Sequence, residues 1–316
     1  MDKRVYIIPT GALSFRLQAR LLADVIGGTV LNWPYLSSMP ADTVIVIGNI
    51  DMLPLVTPKF TKFKKLIWYT VIEGDFPDFG VKLAINAYNP YIITPSKYVK
   101  GLLEAHDIHV DEVIPHGIAY YPPDRVPPKD IDFLYIGEPQ KRKVPPWAYP
   151  VLQALQDRLA LVSDFSHPEI HKLKPKIAYQ TQKARPITWY SMATDQVIQN
   201  LYSRSKFYLN VSANEGFGLT PLEAEAFGAV PIAPSIPALQ ETLGSCVYWV
   251  PVKPNDYELW RYGFLSLHLY HYDPKTMIET ADNAKWTEGQ AKECMLNASR
   301  YYYKGCLLYT SPSPRD

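Results

Sequence analysis

Ala213-Asn-Glu-Gly-Phe-Gly-Leu-Thr-Pro-Leu-Glu-Ala-Glu-Ala-Phe-Gly-Ala-Val-Pro-Ile-Ala-Pro234 reads as a loop, a helix and the start of a strand. The residues before it, Lys206-Phe-Tyr-Leu-Asn-Val-Ser212, alternate and are rich in aromatic and β-branched side chains, which predicts a buried strand feeding the loop. Gly216 and Gly218 let the backbone turn tightly and approach a ligand. Thr220 is a good N-cap, Pro221 suits the first helical position and Glu223 falls three residues after the cap, so Thr220-x-x-Glu223 predicts a capping box at a helix start. Gly228 predicts the helix end, and Val230 to Ser235 the next strand, whose prolines place it near a sheet edge or a strand end. The unit is βαβ. In such units a crevice beyond the carboxyl end of the strand takes ligands, and the free N–H groups of the helix start favour an anion such as a diphosphate.

Two carboxylates beside an anion would repel it. Glu215 and Glu223 therefore make better sense as acceptors for sugar hydroxyls on either side of the phosphates, with cations supplied from elsewhere in the chain. As an isolated pair they would read as a solvated loop residue and a helix cap; the surrounding glycines and proline favour the site.

Outward from this unit, apolar strands alternate with amphipathic helices. The first half offers strands at Arg4 to Ile8, Thr43 to Ile47, Lys65 to Val71 and Tyr91 to Ile93, with helices from about Ser14 to Ile26 and Ser96 to Ala105, a pattern that predicts a parallel sheet covered on both faces. Tyr121-Pro-Pro-Asp-Arg-Val-Pro-Pro128 reads as a stiff linker. A second series follows: strand Asp132 to Ile136, helix Tyr149 to Leu159, strand Ile187 to Tyr190 and helix Asp195 to Ser203; Asp256 to Arg300 gives helical candidates and little strand signal. At 316 residues and 47% hydrophobic content the chain exceeds one ordinary core, so two α/β domains are expected. The net charge of +1 excludes any global attraction to nucleic acid.

Glu215-Gly-Phe-Gly-Leu-Thr-Pro-Leu-Glu223, with Ala224, Gly228 and Pro231, resembles the E-x7-E signature of retaining glycosyltransferases of the GT-B fold, glycosyltransferase family 4 type. Further similar segments run in the family's order: Tyr91 to Ser96 with Tyr98-Val-Lys100, Val113 to Ile118, Phe133 to Gly137 followed by Lys141-Arg-Lys143, Asp195 to Tyr202, and Pro237 to Glu241 with Gly244. They cover roughly residues 90 to 250; the first ninety are similar only in layout. The resemblance implies an α/β chain of two Rossmann-like domains with parallel sheets facing a central cleft. An acceptor domain would span residues 1–122 and a nucleotide-sugar donor domain 129–285, with a helix in 286–305 bracing the first. Residues 306–316 break the pattern and read as a non-native tail.

By the same resemblance, the chain moves a hexose from a UDP-, GDP- or ADP-linked donor to a sugar, lipid or protein acceptor with retention of configuration, without a metal or other cofactor. Arg142, Lys143, Glu215 and Glu73 are the implied catalytic residues, with Gly137, Lys141, Gly216, Phe217, Gly218, Leu219, Thr220, Glu223, Tyr190, Ser191, Met192 and Gly11 binding the donor. Two of the three basic residues would take the phosphates, and which two stays open, because Val144-Pro145 stands where the family usually has a glycine. Tyr190 to Met192 would read the nucleobase; Gly11 is equally well an ordinary strand-to-helix turn. The family often carries a histidine after the strand matching Trp68 to Val71. Here Ile72-Glu73-Gly74-Asp75 follows, and Glu73 is expected to accept hydrogen bonds in its place. A GT-B nucleotide-sugar epimerase and a catalytically silent sugar-binding or scaffold protein remain alternatives.

Other signals carry less. Asp130-x-Asp132 leads straight into a strand and lacks the context of a metal-binding D-x-D, His116 reads as a turn residue, and His167-x3-His171 and His268-x2-His271 lack a third zinc ligand. Lys59-Phe-Thr-Lys-Phe-Lys-Lys65 reads as a solvated face or a peripheral membrane contact. Three cysteines, Cys246, Cys294 and Cys306, without a paired framework, and an N-terminus too short for a signal peptide suggest a reducing, cytoplasmic setting.

Overall fold

The computed structural model describes residues 4–10, 13–31, 41–59, 63–76, 78–120, 123–182, 190–191, 193–263 and 265–302. Gly11, Met192, most of the strand expected at Ile187 to Tyr190, Phe60 to Lys62 in the basic aromatic stretch, and the expected tail at 306–316 lie outside them. The chain divides into two compact units. One takes in residues up to Ala119, Trp260–Leu267 and the chain from Tyr301; the other takes in Tyr120–Leu259 and His268–Arg300.

The first unit runs β1 (Val5–Pro9), α1 (Leu13–Ile26), β2 (Thr29–Val30), β3 (Ala41–Asn49), α2 (Leu53–Val56), β4 (Phe63–Val71), β5 (Gly74–Asp75), α3 (Asp78–Tyr88), β6 (Tyr91–Thr94), α4 (Lys97–Glu104) and β7 (Glu112–Val113). Its sheet has the order β2-β1-β3-β4-β6-β7 and pairs in parallel throughout. Val46, Ile47 and Trp68 of the central strands are fully buried, as strands covered on both faces require. Ser96 starts α4 by accepting the Val99 N–H at 3.2 Å.

The second unit runs β8 (Ile131–Ile136), α5 (Tyr149–Leu155), β9 (Leu159–Ser163), α6 (Pro168–His171), β10 (Ile177–Gln182), β11 (Tyr190–Ser191), α7 (Asp195–Arg204), β12 (Ser205–Leu209), α8 (Leu219–Ala226), β13 (Val230–Pro234), α9 (Pro237–Thr242) and β14 (Tyr248–Val250). Strands β15 (Tyr257–Tyr262) and β16 (Leu265–Tyr270) and helices α10 (Pro274–Asn283) and α11 (Glu288–Ser299) follow. The main sheet has the order β11-β10-β9-β8-β12-β13-β14 and is parallel except where β11 returns along β10.

Several expectations are corrected. The helix beginning at Tyr149 stops at Leu155, and Leu159-Ala-Leu-Val-Ser163, all buried, is instead strand β9 between β8 and β10. A short apolar run at a helix end gives no period by which to tell the two apart. Asp256 to Arg300 holds two strands as well as its helices. In the first unit β16 pairs with β5, where a Cβ on Gly74 would stand 2.1 Å from the Ser266 carbonyl oxygen, so only glycine lets the backbones meet. The proline-bearing β13 is not an edge strand: β12 and β14 flank it, and Pro234 ends it. The helix expected in 286–305 is α11, and it packs on α8 within the second unit.

The cysteine reading is also overturned, because Cys246 and Cys294, 48 residues apart, form a disulfide. Cys294 lies on α11 and Cys246 in the turn before β14, so tertiary packing brings them together, which no spacing rule shows, and cysteine count says nothing of the compartment here. No described helix is long and apolar enough to cross a membrane. Closing a loop of that length contributes about 2–4 kcal/mol. A reductant should therefore lower the thermal midpoint, and alkylation under denaturing, non-reducing conditions should label Cys306 alone; labelling of all three would remove the bond.

Candidate functional site

From β8 the chain moves outward through β9 to β10, then returns at β12 on the other flank of β8. This change of direction lies between two adjacent parallel strands, and crevices at such points, beyond the carboxyl ends, are where open α/β sheets hold ligands. The loops leaving β8 and β12 are joined there by the Ala213 N–H, which donates to the Arg142 carbonyl at 2.7 Å.

The β8 loop starts at Gly137, whose N–H reaches the Val162 carbonyl at 3.0 Å and where an added Cβ would stand 2.3 Å from the Tyr135 hydroxyl. The N–H groups of Lys143 and Val144 both donate to the Gln140 carbonyl at 2.8 Å, folding Lys141 to Lys143 into a turn. Val144, standing where the resemblance expects glycine, is buried and anchors the turn in the core.

Lys143 Nζ donates to both oxygens of Glu215 at 2.5 Å, and the Arg142 guanidinium lies 3.8 Å from Oε2. Lys141 is turned elsewhere, pairing with Glu258 at 3.0 Å. The basic residues that meet the signature glutamate are thus Arg142 and Lys143. Glu215 is 4% exposed, and Ser212 Oγ donates to its Oε1 at 2.7 Å. Burial pushes its carboxyl up, but the charges of Lys143 and Arg142 and the hydrogen bonds from Lys143 and Ser212 outweigh it and hold the group below its ordinary range.

Helix α8 begins two residues earlier than the capping-box reading has it. Gly218, with φ 86°, is the N-cap, and a Cβ there would also stand 2.3 Å from Leu239 Cδ2. Thr220 therefore caps nothing. It lies inside the first turn, hydrogen-bonded to Tyr208, and the short tether of a left-handed glycine replaces the side-chain cap. Pro221 is tolerated within that first turn because its missing N–H would have had no helical partner. Glu223 does not reach back to a cap; its Oε2 accepts the Tyr202 hydroxyl at 3.0 Å. Gly228 ends the helix as read, with φ 72°, its N–H on the Glu225 carbonyl at 2.9 Å and the Ala229 N–H on Ala224 at 3.1 Å. A Cβ at Gly228 would lie 3.2 Å from that of Ala291, so small residues let α11 close on α8.

Burial raises Glu223 to about 7, with Asp195 pushing the same way and the Tyr202 hydrogen bond opposing. Gly216 and Phe217 are buried, and the Phe217 carbonyl accepts the Thr242 hydroxyl at 2.9 Å; Leu219 and Thr220 are half-buried at the helix start. Tyr190 and Ser191 form β11, opposite Gln182 and Thr181. Glu73, half-buried, follows the carboxyl end of β4 in the first unit. Sequence reading missed Ser212, three residues before Glu215, and Tyr202, whose hydroxyl announces nothing until α7 is placed beside α8.

The side signals take other roles. Asp130 pairs with Arg204 at 2.7 Å and Asp132 with Lys206 at 2.8 Å, which uses both acids as ion-pair partners. His116 is buried against the Tyr69 ring, 4.9 Å between centroids, and burial lowers its pKa to about 3. Among the described residues, one group with metal-ligand composition occurs, Glu225 with Cys246 and Cys294, and its two sulfurs are bonded to each other.

No family model matches the chain. The serotype-specific mannosyltransferase WbdA of Escherichia coli is 34% identical over 124 residues, which is 38% of this chain and 15% of that protein. The chain spans less than a third of the length of each curated relative it matches. Among solved structures, sucrose-phosphate synthase of Thermosynechococcus elongatus superposes with a TM-score of 0.66 at 14% identity over 98% of this chain and 97% of that one. Anabaena HepE, solved with UDP and glucose, superposes with a TM-score of 0.62 at 10% identity over 97% of this chain and 98% of that one. The fold, α/β with two parallel sheets, is that of GT-B glycosyltransferase structures.

Proposed function

We propose that this chain is a retaining glycosyltransferase of the family 4 type that moves a hexose from a nucleoside-diphosphate sugar to a sugar, lipid or protein acceptor. The observation that carries the reading is the cluster at the sheet's change of direction: Glu215 buried against Lys143 and Arg142, at the entrance of the helix that bears Glu223. The mannosyltransferase likeness, and the UDP and glucose bound to one structural relative, support a nucleotide-sugar donor.

Leaving-group departure passes through an oxocarbenium-like state while negative charge grows on the phosphate. Lys143 and Arg142 neutralise that charge. Their pairing with Glu215 positions them beforehand, so no reorganisation is needed at the moment of reaction. Glu215, kept ionised by the same two cations, accepts hydrogen bonds from the hexose, and Glu223 accepts them from the ribose. Gly137, Gly216, Phe217, Gly218, Leu219 and Thr220 line the phosphate approach with backbone. Tyr190 to Met192 take the base, Glu73 accepts hydrogen bonds from the sugar or the acceptor, and Gly11 meets the donor phosphate or the acceptor. No metal ion takes part, and the rate should survive chelation.

The test is incubation with labelled UDP-, GDP- and ADP-hexoses. Slow donor hydrolysis by the wild type, lost in Glu215→Gln, is the expected result. Tight binding without turnover would replace the enzyme with a silent sugar-binding protein, and recovery of a C2-inverted sugar would replace it with an epimerase.

A further inference from the structure

We propose that Tyr202 is a positioning residue that fixes Glu223 as a hydrogen-bond acceptor for the vicinal diol of a ribonucleotide, so that this buried pair sets discrimination between ribose and deoxyribose. The proposal rests on the donor reading above and adds to it a residue outside the signature.

Tyr202, fully buried in the last turn of α7, donates to Glu223 Oε2 at 3.0 Å. Glu223 Oε1 has no partner among the described residues, which leaves it for a ligand. The phenol cannot swing away, because its ring lies among those of Tyr120, Tyr208 and Phe227, with centroids 6.5, 6.2 and 6.0 Å distant. The backbone is held too. Lys129 Nζ donates to the Phe227 carbonyl at 2.6 Å and to the Tyr202 carbonyl at 3.4 Å, tying the carboxyl ends of α7 and α8 to one amine, whose pKa burial lowers to about 7, so that it titrates in the same range as Glu223. Two helices are thus clamped so that a hydroxyl on one meets a carboxyl on the other.

The groups facing Glu223 act in opposite directions. Burial and the charge of Asp195, in the first turn of α7, favour the protonated acid, and the Tyr202 hydroxyl favours the carboxylate. Tyr120, bonded to Asp195, and Tyr208 of β12 stay protonated; burial raises both pKa values first, with Glu223 adding to it at Tyr120 and Glu215 and Glu223 adding to it at Tyr208 against the Thr220 hydrogen bond. With the carboxyl at about 7, loss of the tyrosine hydroxyl moves it further up, and loss of the Asp195 charge moves it down. A protonated acid accepts the diol poorly.

The readout is the ratio of affinities for a nucleoside diphosphate (UDP, GDP or ADP, whichever binds) and its 2′,3′-dideoxy counterpart, measured by calorimetry from pH 5.5 to 9. Phosphate titration is common to both ligands and cancels in the ratio. Hydrogen bonds to a charged acceptor predict a preference of about 10- to 100-fold at high pH, falling through a midpoint near 7. Tyr202→Phe should move that midpoint up and Asp195→Asn, on an exposed side chain, should move it down. Tyr272→Phe, which removes another buried hydroxyl that donates to the Val211 carbonyl at 2.9 Å, should leave it in place. Should Tyr202→Phe not fold, the wild-type curve and Asp195→Asn still decide. A ratio independent of pH in the wild type, or one unmoved in the variants, overturns the proposal and leaves the donor reading intact. Failure of all three nucleotides to bind overturns the donor reading itself.

Discussion

Replacing Lys143 with methionine is expected to cut donor turnover by about 10²–10³-fold, the loss that follows removal of one preorganised group facing developing charge. It should also cost stability, and the reason is separate. Glu215 is 4% exposed, and Lys143 contacts both of its oxygens. Without that ammonium, a carboxylate is left buried with Arg142 3.8 Å away and the Ser212 hydroxyl as its main relief. Breaking a buried pair by deleting one partner costs about 3–5 kcal/mol, most of it the penalty on the charge left behind. The double variant Lys143→Met/Glu215→Gln should therefore recover most of the thermal midpoint and none of the turnover. The pH dependence has a definite sign. In the wild type Glu215 is held below its ordinary value, so the pair stabilises above that value and the contribution is lost as pH falls through the depressed one. In the single variant only the Arg142 charge and the Ser212 hydrogen bond still oppose burial, so the carboxyl moves up and the loss on the acid side shrinks. Thermal unfolding across pH beside single-turnover donor hydrolysis reads both effects; a Lys143→Met enzyme with wild-type turnover would end the phosphate role.

How much of this was open to sequence reading follows from the range over which each cue acts. Strands β1, β3, β4 and β6 of the first unit and the strand leading into Ala213 announce themselves locally, as apolar runs between turn residues, and they stand where they were expected, while the two-residue strands β2 and β7 are too short to give a signal. Gly228 is equally local, because a left-handed C′ residue is nearly a glycine prerogative. The capping box at Thr220 misled because its letters fit. What decides the helix start is the positive φ of Gly218 and its closeness to Leu239, which no four-residue pattern contains. Strand β9 was hidden behind a helix, its four apolar residues and a serine being too few to show a period. Which of Lys141, Arg142 and Lys143 meet Glu215 could not be read from spacing. It depends on Glu258, more than a hundred residues on, which takes Lys141 into its own ion pair. Tyr202, Lys129 and the disulfide partners belong to the same class, since only tertiary packing gives them their neighbours.

Glu225→Gln should stabilise the protein at alkaline pH and leave it almost unchanged near pH 5. Glu225 sits on α8, two residues past Glu223, and is fully buried. Its Oε2 accepts from Asn297 Nδ2 at 2.6 Å, and its Oε1 lies 3.3 Å from Cys246 Sγ. A disulfide sulfur has no proton to donate and so offers an anion nothing, and burial raises the carboxyl from 4.5 to about 8 although Asn297 and the Gly244 N–H both donate to it. An acid whose folded pKa lies above its unfolded value gives full stability below the unfolded value, and that stability drains away as pH rises through the folded one. The loss therefore runs from about 4.5 to about 8, and Glu223, at about 7, adds to it with the same sign. Glutamine keeps the shape and the acceptor toward Asn297, turns an amide toward the sulfur and cannot ionise. A shift of this size caps the gain near 5 kcal/mol, and relaxation of the site brings it to about 2–3 kcal/mol at pH 9. For a domain of this size that is a rise of roughly 5–10 °C in the thermal midpoint. Turnover should stay at the wild-type level, since Glu225 faces α11 and the disulfide rather than the ion cluster around Glu215. A gain equal at pH 5 and pH 9 would show that Glu225 is not the titrating group, and a loss at pH 9 would show that its charge is compensated.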